Sequence, residues 1–394
     1  MALSLVNTEI AFRSKSDAEL RRSAWLFRTF AHPWVVRTGT GLLRPALALH
    51  LPVAWLVKRT IFRQFCGGES IEECQPTIEA LSRFGVGTIL DVADEGRAEE
   101  AEFDATMREV ERTIDLAQGN PAIPFCVFKI SGLARVALLE KLDAGTPLEE
   151  AERREWAAAR RRVERLCSHA HAKGVSVLID AEESWIQDTI DALATEMMAT
   201  FNAGKAIVFN TIQLYRKGRL EFLRESHRRA TAGGYWLGLK LVRGAYMEKE
   251  RARAAARGME SCILPDKRAA DASFDEALVF SVEHIDRIAI VAGTHNEAST
   301  MLLAGLMDQH GLRRDDPRVY FSQLLGMSDH LTYNLAAEGY NVCKYVPYGP
   351  VRSVVPYLTR RAEENTSIRG QIGRERGLIL EERRRRRSRP QVAG

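Results

Sequence analysis

The 394-residue chain is 45% hydrophobic and 27% charged, ordinary values for a globular protein with a large core. Six arginines stand in the run Arg383–Arg389, so the formal charge of +4 becomes −2 without them, which argues against a general nucleic-acid-binding surface. The six cysteines form no C-x-x-C pair and no zinc spacing, so we expect no metal site and reduced thiols in a cytoplasmic or other reducing compartment.

Residues 1–85 have the composition of helices broken by proline and glycine, which predicts an N-terminal helical arm. Residues 1–30 mix acidic with basic side chains, which argues against a secretory signal and a transit peptide. The apolar segment Leu42–Val57 is interrupted by an arginine, a histidine and two prolines, and falls short of the ~20 apolar residues of a membrane-spanning helix. A helix packed on the body is our main interpretation of this segment, and a helix lying on a membrane surface is the alternative.

After the arm, short apolar runs rich in β-branched residues alternate with longer segments of helical composition. The eight runs are Val86–Leu90, Phe125–Phe128, Val175–Ile179, Ala206–Phe209, Trp236–Val242, Ile288–Ala292, Val319–Phe321 and Asn341–Tyr345. The helical segments include Glu99–Ala117, Glu149–His171, Ser184–Phe201, Ser273–Ile285 and Asn296–Gln309. This alternation predicts a parallel sheet covered by helices, and eight units favour a closed (β/α)8 barrel over residues 86–370. Residues 371–394 are predicted as a basic C-terminal tail.

Polar or charged residues follow nearly every predicted strand. They are Asp91, Lys129, Asp180, Gln213, Lys240 with Arg243, His295, Gln323, and Lys344 with Tyr345. Any single one could be a loop residue or a helix cap. Because the carboxyl ends of barrel strands form one mouth, the set together predicts an active site there. The chain has no G-x-G-x-x-G after a strand, no P-loop and no H-E-x-x-H.

A last helix is predicted from Val351 to Asn365, directly after Pro350. Tyr357, Arg360, Arg361 and Glu364 are spaced i, i+3, i+4 and i+7 and therefore share one face. Adjacent guanidinium groups suit a carboxylate ligand, which they bind through paired hydrogen bonds. A solvated face with an Arg–Glu pair is the alternative.

Three segments resemble the proline dehydrogenase family: Leu239–Tyr246 at the fifth strand, Gly293–Asn296 at the sixth, and Tyr357–Asn365 in the last helix. Phe65–Glu69 and Phe84–Asp91 resemble its monofunctional branch. The resemblance implies a distorted barrel that holds FAD at its mouth, with the C-terminal helix capping the active site. It also implies oxidation of L-proline to Δ1-pyrroline-5-carboxylate, the first step of proline catabolism to glutamate, with electrons passed to a quinone.

The resemblance assigns substrate and catalytic roles residue by residue. Lys129, Arg360 and Arg361 would bind the proline carboxylate, and Tyr345, Tyr357 and Leu324 would enclose the ring. Asp180 would be the active-site acid, and Lys240 a catalytic cation near the flavin N5. Glu95 would act as a gate by pairing with Arg360. The flavin contacts would come from Ala181, Gln213, Arg243, Gly244, Ala245, Thr294 and His295.

Two positions bear on the family pattern. Many bacterial members carry arginine at position 240 and lysine at position 243, so the cation types are exchanged in this chain and the contact geometry there is altered. Relatives that oxidise hydroxyproline carry a smaller residue at position 345. Tyr345 therefore favours proline over trans-4-hydroxyproline.

Other functions are kept open by the sequence. A hydroxyproline or other cyclic imino acid dehydrogenase would use the same barrel. A non-catalytic protein that binds an anionic membrane or RNA would rest on the arginine run alone, and a lyase could use Lys129 as a Schiff-base amine. The arginine run could also contact anionic lipid on the inner face of the membrane, the alternative being a disordered solvated tail. No segment resembles an aldehyde dehydrogenase, so a separate enzyme would oxidise the product.

Overall fold

Eight parallel strands close into a barrel in strict chain order, which confirms the predicted (β/α)8 architecture. In a computed structural model, residues 3–30, 32, 34, 54–93, 98–367 and 369–388 are described, with 30, 54, 56, 362–367 and 369–372 described by backbone only. The strands are β1 (Val86–Val92), β2 (Phe125–Phe128), β3 (Ser176–Ile179), β4 (Val208–Gln213), β5 (Leu237–Val242), β6 (Ile288–Gly293), β7 (Val319–Leu324) and β8 (Val342–Tyr348).

Helices precede, alternate with and follow the strands. Before β1 lie α1 (Thr8–Ala11), α2 (Asp17–Phe30), α3 (Ala54–Val57), a π-helical turn (Lys58–Phe62), α4 (Arg63–Phe65) and α5 (Ile71–Ser82). Around the barrel lie α6 (Glu100–Ala117), a 3-10 turn (Ile130–Gly132), α7 (Val136–Asp143), α8 (Glu150–Lys173), α9 (Gln187–Phe201), α10 (Arg219–Gly233), α11 (Met247–Arg257), α12 (Lys267–Glu283), α13 (Glu297–Gln309) and α14 (Asp329–Ala337). After β8 come α15 (Val351–Ser367) and α16 (Arg369–Ser388).

Alternate side chains along the strands fill the inside of the barrel. Phe125 of β2 meets the rings of Phe209 and Tyr320 edge-to-face, with centroids 5.4 and 4.8 Å away. Tyr345 of β8 belongs to this inner cluster and pairs in register with Ile89 of β1 and Leu324 of β7. The strand register therefore carries the Tyr345 phenol to the top of a packed apolar core.

The predicted start of β4 was wrong. The strand runs over Val208–Gln213 instead of Ala206–Phe209, because the side chain of Asn202 bonds the backbone N–H groups of Ile207 and Val208 and holds that segment in a turn. Two buried polar residues then continue the strand. Asn210 donates to Asp191, and Thr211 donates to the carbonyl of Ile179.

Helix α5, which precedes the predicted boundary at residue 85, packs against the barrel. The buried residues of α5, including Ile71, Ile78 and Leu81, belong to the same apolar cluster as the outer faces of the strands. Helix α5 therefore packs as part of the barrel. Most of the segment Leu42–Val57, for which packing on the body was predicted, lies outside the described residues.

The predicted basic tail forms helix α16 as far as Ser388, and this helix packs on the arm. Leu378 and Ile379 are buried in a second apolar core together with residues of α2 and α15. The fully buried carboxylate of Glu382 accepts hydrogen bonds from Arg385 and Arg386 at 2.7 and 2.8 Å. These two arginines also pair with Glu9 and Asp17 of the arm. Helix α16 is thus joined to the N-terminal arm by apolar packing and by ion pairs.

Within the described ranges, no helix combines the length and apolarity needed to cross a membrane. Over the same ranges, no three histidine, cysteine or acidic side chains converge as metal ligands.

Candidate active site at the barrel mouth

Asp180, directly after β3, lies at the centre of a buried charge network. Its Oδ1 accepts from Lys240 Nζ at 2.6 Å, its Oδ2 accepts from the Tyr345 hydroxyl at 2.7 Å, and Lys129 Nζ lies 3.9 Å away. Burial opposes ionisation, but the two ammonium groups outweigh it and hold the pKa of Asp180 below its ordinary value. Asp180 is therefore an ionised carboxylate that orients one phenol and one ammonium.

Asp91 of β1 is a member of this network to which the sequence assigned no role. Its two oxygens lie 2.8 and 3.0 Å from Lys129 Nζ, and Lys129 also approaches the Tyr345 hydroxyl at 3.3 Å. Burial raises the pKa of Asp91 despite the attraction of Lys129. Its place at a strand end put Asp91 in the predicted ring with Lys129 and Asp180, but did not indicate that it pairs with Lys129.

Tyr345 connects the two halves of the network. Burial, and then the Asp180 carboxylate, raise the pKa of its phenol well above the ordinary value, so it is a neutral hydrogen-bond donor. The ammonium of Lys240 lies 4.5 Å from the centroid of its ring. The ring is thus held between Asp180 and Lys240 by polar contacts at two points.

Helix α15 lies over the mouth and brings the predicted arginine pair towards the strand ends. The guanidinium of Arg361 lies 5.3 Å from the ring centroid of Tyr357, and that of Arg360 lies 5.6 Å from the ring centroid of Tyr246, just after β5. Leu324, at the end of β7, packs against both the barrel interior and the second core that contains Tyr357. Glu95 lies outside the described residues.

The ends of β3, β4 and β5 are tied together by Gln213. Its buried side chain donates to the carbonyl of Glu182 at 2.6 Å and accepts from the Ala245 N–H at 3.4 Å. Ala181 is buried between Asp180 and Glu182. The segments that hold Ala181 and Ala245 are therefore linked through one amide.

Arg243 anchors the loop after β5 to the end of β6. Its Nε bonds Asp271 at 2.7 Å, while Nη1 donates to Thr294 and Nη2 to Ser299, at 2.8 and 2.9 Å. Each terminal nitrogen carries a second N–H, so the guanidinium retains donors beyond these contacts.

His295 follows Thr294 and carries a neutral imidazole. Burial, followed by the nearby charges of Lys344 and Arg361, lowers its pKa to about 3. Its Nδ1 lies 2.9 Å from Ser328 Oγ. Lys344, by contrast, is buried and paired with Asp329 at 2.9 Å, as part of the packing around α14.

A Gly244→Ala variant is expected to lose about 3 kcal/mol of stability. Gly244 has a φ of +141°, and a Cβ there would stand 1.7 Å from a ring carbon of Tyr215. Thermal unfolding measures the loss, with Gly258→Ala as the control because its φ is +62° and nothing lies within 4 Å of its Cβ. Equal losses in the two variants would show that backbone strain alone matters.

Glu182 is expected to make stability fall between about pH 4.5 and pH 7. Burial raises the pKa of its carboxyl to about 7, and the side chain is bonded to both the N–H and the hydroxyl of Ser131. The folded state therefore holds a proton that the unfolded chain loses near pH 4.5, which costs up to ~3 kcal/mol at higher pH.

Glu182→Gln tests this because glutamine keeps both hydrogen bonds and never ionises. Its melting temperature relative to the parent should rise from near zero difference at pH 5 to several degrees at pH 8. A difference that stays constant with pH would contradict the assignment.

Several known proteins are similar to this chain in sequence or in fold. The family described as "Proline dehydrogenase" matches residues 74–374. The "Carbapenem antibiotics biosynthesis protein CarD" of Pectobacterium carotovorum is 38% identical over 322 residues, which cover 82% of this chain and 83% of that protein. The "Proline dehydrogenase 1, mitochondrial" of Dictyostelium discoideum is 30% identical, over 93% of this chain and 72% of that protein.

Two further similarities concern the substrate class and the fold. The "Hydroxyproline dehydrogenase" of Xenopus laevis is 30% identical, over 95% of this chain and 88% of that protein. The crystal structure of proline utilization A from Bdellovibrio bacteriovorus matches with a TM-score of 0.69 and 20% identity, over 78% of this chain and 32% of that one. The structural match concerns the fold, and this chain spans about a third of that protein. The family match covers more than half of the chain, which therefore belongs to the proline dehydrogenase family.

Proposed function

We propose that the chain oxidises L-proline to Δ1-pyrroline-5-carboxylate with bound FAD, as the first step of proline catabolism. The observation that carries the proposal is the Asp180 carboxylate. It is buried at the barrel mouth between the Lys240 ammonium and the Tyr345 hydroxyl. The family to which the chain belongs supports the same reaction.

The donor set at the ends of β4, β5 and β6 fits a flavin. A flavin that gains electrons is stabilised by cations and neutral donors, which Lys240 and His295 supply. Arg243 and the backbone around Gly244 and Ala245 would hold the phosphates, with Gln213 and Thr294 fixing that backbone. Ala181 would pack beside the ring system. When bound, the flavin supplies the acceptor for the hydride that leaves proline C5.

The substrate carboxylate is proposed to bind Arg360 and Arg361, with Lys129 as a third cation. When ionised, the two carboxylates and two ammonium groups of Asp91, Lys129, Asp180 and Lys240 sum to no net charge. The arginine pair therefore gives the site a net charge of two positive charges, which favours an anionic ligand. Anchoring the carboxylate there would restrict the position of C5, and hydride transfer requires reacting atoms within ~3–3.5 Å of each other.

The ring of proline is proposed to lie against Tyr345, Tyr357 and Leu324, which exclude water from the reacting carbon. The substrate amine must be neutral before the hydride can leave. Loss of water from around the bound amine disfavours its charged form and so promotes release of the amine proton to solvent. The C5–N bond then becomes the double bond of the product.

Steady-state oxidation of L-proline with a soluble quinone, with the cyclic imine trapped as a coloured adduct, tests the reaction. Product formation that requires both L-proline and an electron acceptor supports the proposal. Turnover of trans-4-hydroxyproline at an equal or higher kcat/KM would move the substrate to the alternative, which the hydroxyproline dehydrogenase relative favours. We propose proline because the Tyr345 hydroxyl is bonded to Asp180 and occupies space that a ring hydroxyl would need.

The Schiff-base lyase is not favoured by the site. Lys129 is ion-paired with Asp91 at 2.8 Å, whereas a Schiff-base lysine attacks as a neutral amine. Borohydride trapping of a carbonyl ligand on Lys129 would revive that alternative.

We further propose that electrons pass to a membrane quinone and that the arm, more than the arginine run, contacts the lipid. Trp25 and Trp55 are 50% and 61% exposed, and Arg21 and Arg28 flank Trp25 on the exposed face of α2. Exposed tryptophan beside arginine suits the interface of an anionic bilayer. A separate enzyme would oxidise the released product.

Co-sedimentation with phosphatidylglycerol vesicles distinguishes the two surfaces. Trp25→Ser/Trp55→Ser should reduce vesicle binding at least tenfold, whereas Arg384→Ser/Arg387→Ser, at exposed positions of α16, should change it little. The reverse ranking would return the contact to the arginine run. Equal binding by all three proteins would exclude both surfaces.

A further inference from the structure

The turn between β7 and α14 is held in an unfavourable backbone conformation. Ser328 has φ 51° and ψ 42°, and among the described residues no other non-glycine residue has a positive φ. Such a left-handed conformation costs roughly 1–2 kcal/mol for a residue with a Cβ. Contacts from neighbouring elements must therefore hold Ser328 in place.

Ser328 forms hydrogen bonds to two different parts of the fold, the C-terminal helix α16 and the end of β6. Its N–H donates to Oε1 of Glu375, on the C-terminal helix α16, and its Oγ lies 2.9 Å from Nδ1 of His295, at the end of β6. Ser328 is fully buried, and Glu375 is 4% exposed. The C-terminal helix is thus connected to the barrel mouth through a buried residue.

The next residue fixes the turn from its other side. Asp329 accepts from Lys15 of the arm at 2.6 Å and from Lys344 of β8 at 2.9 Å. The arm, β8 and α16 therefore all hold this turn. Its position depends on the docking of segments at both ends of the chain.

We propose that Glu375 is a positioning residue for the flavin site: it holds Ser328 so that the serine hydroxyl donates to Nδ1 of His295 and leaves Nε2–H as a neutral donor towards the flavin. The inference rests on the proposed function in assigning His295 to the flavin. It makes α16, most of which lies beyond the region that matches the family, part of the cofactor site.

The physical reason is the choice of tautomer. A neutral imidazole carries one proton, and the partner of one ring nitrogen decides which nitrogen holds it. A hydroxyl that donates to Nδ1 places the proton on Nε2. In metal-binding histidines, too, the partner of the nitrogen that does not bind the metal fixes the tautomer. Without Ser328 in this position, His295 would divide between two tautomers and two ring orientations.

Three variants of α16 separate positioning from stability. Glu375→Leu removes the acceptor, Glu375→Gln keeps an oxygen in its place, and Glu381→Leu is the matched control at an exposed position of the same helix. Dissociation constants for FAD, from quenching of flavin fluorescence, should rise at least tenfold in Glu375→Leu. They should stay within about threefold of the parent in the other two.

Ser328→Gly covers the case in which Glu375→Leu does not fold. Glycine adopts a φ of 51° without strain and keeps the N–H bond to Glu375, so only the hydroxyl is lost. Long-range ¹H–¹⁵N spectra of the flavin-free protein, with His295→Gln to assign the signal, should show the Nε2–H tautomer in the parent and a mixture in Ser328→Gly.

The outcomes distinguish this inference from the proposed function. If the parent binds no FAD, the proposed function fails. If the parent binds FAD and is reduced by proline, but Glu375→Leu and Ser328→Gly bind FAD as tightly as Glu381→Leu does, only the positioning role fails. An Nδ1–H tautomer in the parent would also overturn it.

Discussion

An Asp180→Asn variant is expected to lose about 10³-fold in kcat/KM for L-proline. The substitution preserves shape but removes the charge that pairs Lys240 at 2.6 Å and holds the Tyr345 hydroxyl at 2.7 Å. Removing one partner of a buried ion pair costs about 3–5 kcal/mol, and each ~1.4 kcal/mol corresponds to a factor of ten. Lys240 and Lys129 would then repel each other at the mouth, and Tyr345 would lose its acceptor.

Single-turnover flavin reduction measures this loss apart from reoxidation. Asp316→Asn is the matched control, because Asp316 is also buried and ion-paired, with Arg318 at 2.6 Å, but it precedes β7 at the opposite end of the barrel. Both variants should lose stability, and only Asp180→Asn should lose the reaction. Reduction by Asp180→Asn within tenfold of the parent rate would remove Asp180 from the centre of the site.

An Arg361→Met variant is expected to raise KM for L-proline about 100-fold, with a smaller change in kcat. Arg361 is 7% exposed and its guanidinium lies 5.3 Å from the centroid of the Tyr357 ring, so a carboxylate bound there is screened little by water. A charge-assisted hydrogen bond of this kind contributes about 1.5–3 kcal/mol, or roughly 10- to 150-fold in affinity.

The control for Arg361 is Arg352→Met, an exposed arginine on the same helix. It removes the same charge from α15 but lies about two and a half turns earlier, so KM should change by less than twofold. A cyclic inhibitor with a carboxylate should weaken with Arg361→Met as proline does, and a cyclic amine without one should not. Parallel weakening of both ligands would mean that Arg361 shapes the pocket without binding the carboxylate.

Sequence reasoning could predict the barrel because its strands are marked by β-branched runs at regular intervals. It misplaced β4, where Asn210 and Thr211 are polar yet buried, since their partners Asp191 and Ile179 lie on other elements. Periodicity records apolar character along the chain. It contains no information about a buried polar side chain whose hydrogen-bond partner lies on another element.

For the site, too, the sequence indicated which residues lie close together but not which of them form bonds. The strand-end rule predicted that Lys129, Asp180, Lys240 and Tyr345 would meet, and they do. It could not show that Asp91 pairs with Lys129, because the rule places residues in a ring without saying which neighbours bond. Arg385 and Arg386 were predicted as part of a basic tail, since only the fold reveals that Glu382 is buried between them.

The most direct test of the proposed function is an absorption spectrum of the purified protein before and after anaerobic addition of L-proline. A flavin band near ~450 nm that bleaches with L-proline, and much less with trans-4-hydroxyproline, is the predicted result. A protein that takes up no flavin after incubation with FAD, or whose flavin band is unchanged by any cyclic imino acid, would contradict the function proposed for this site.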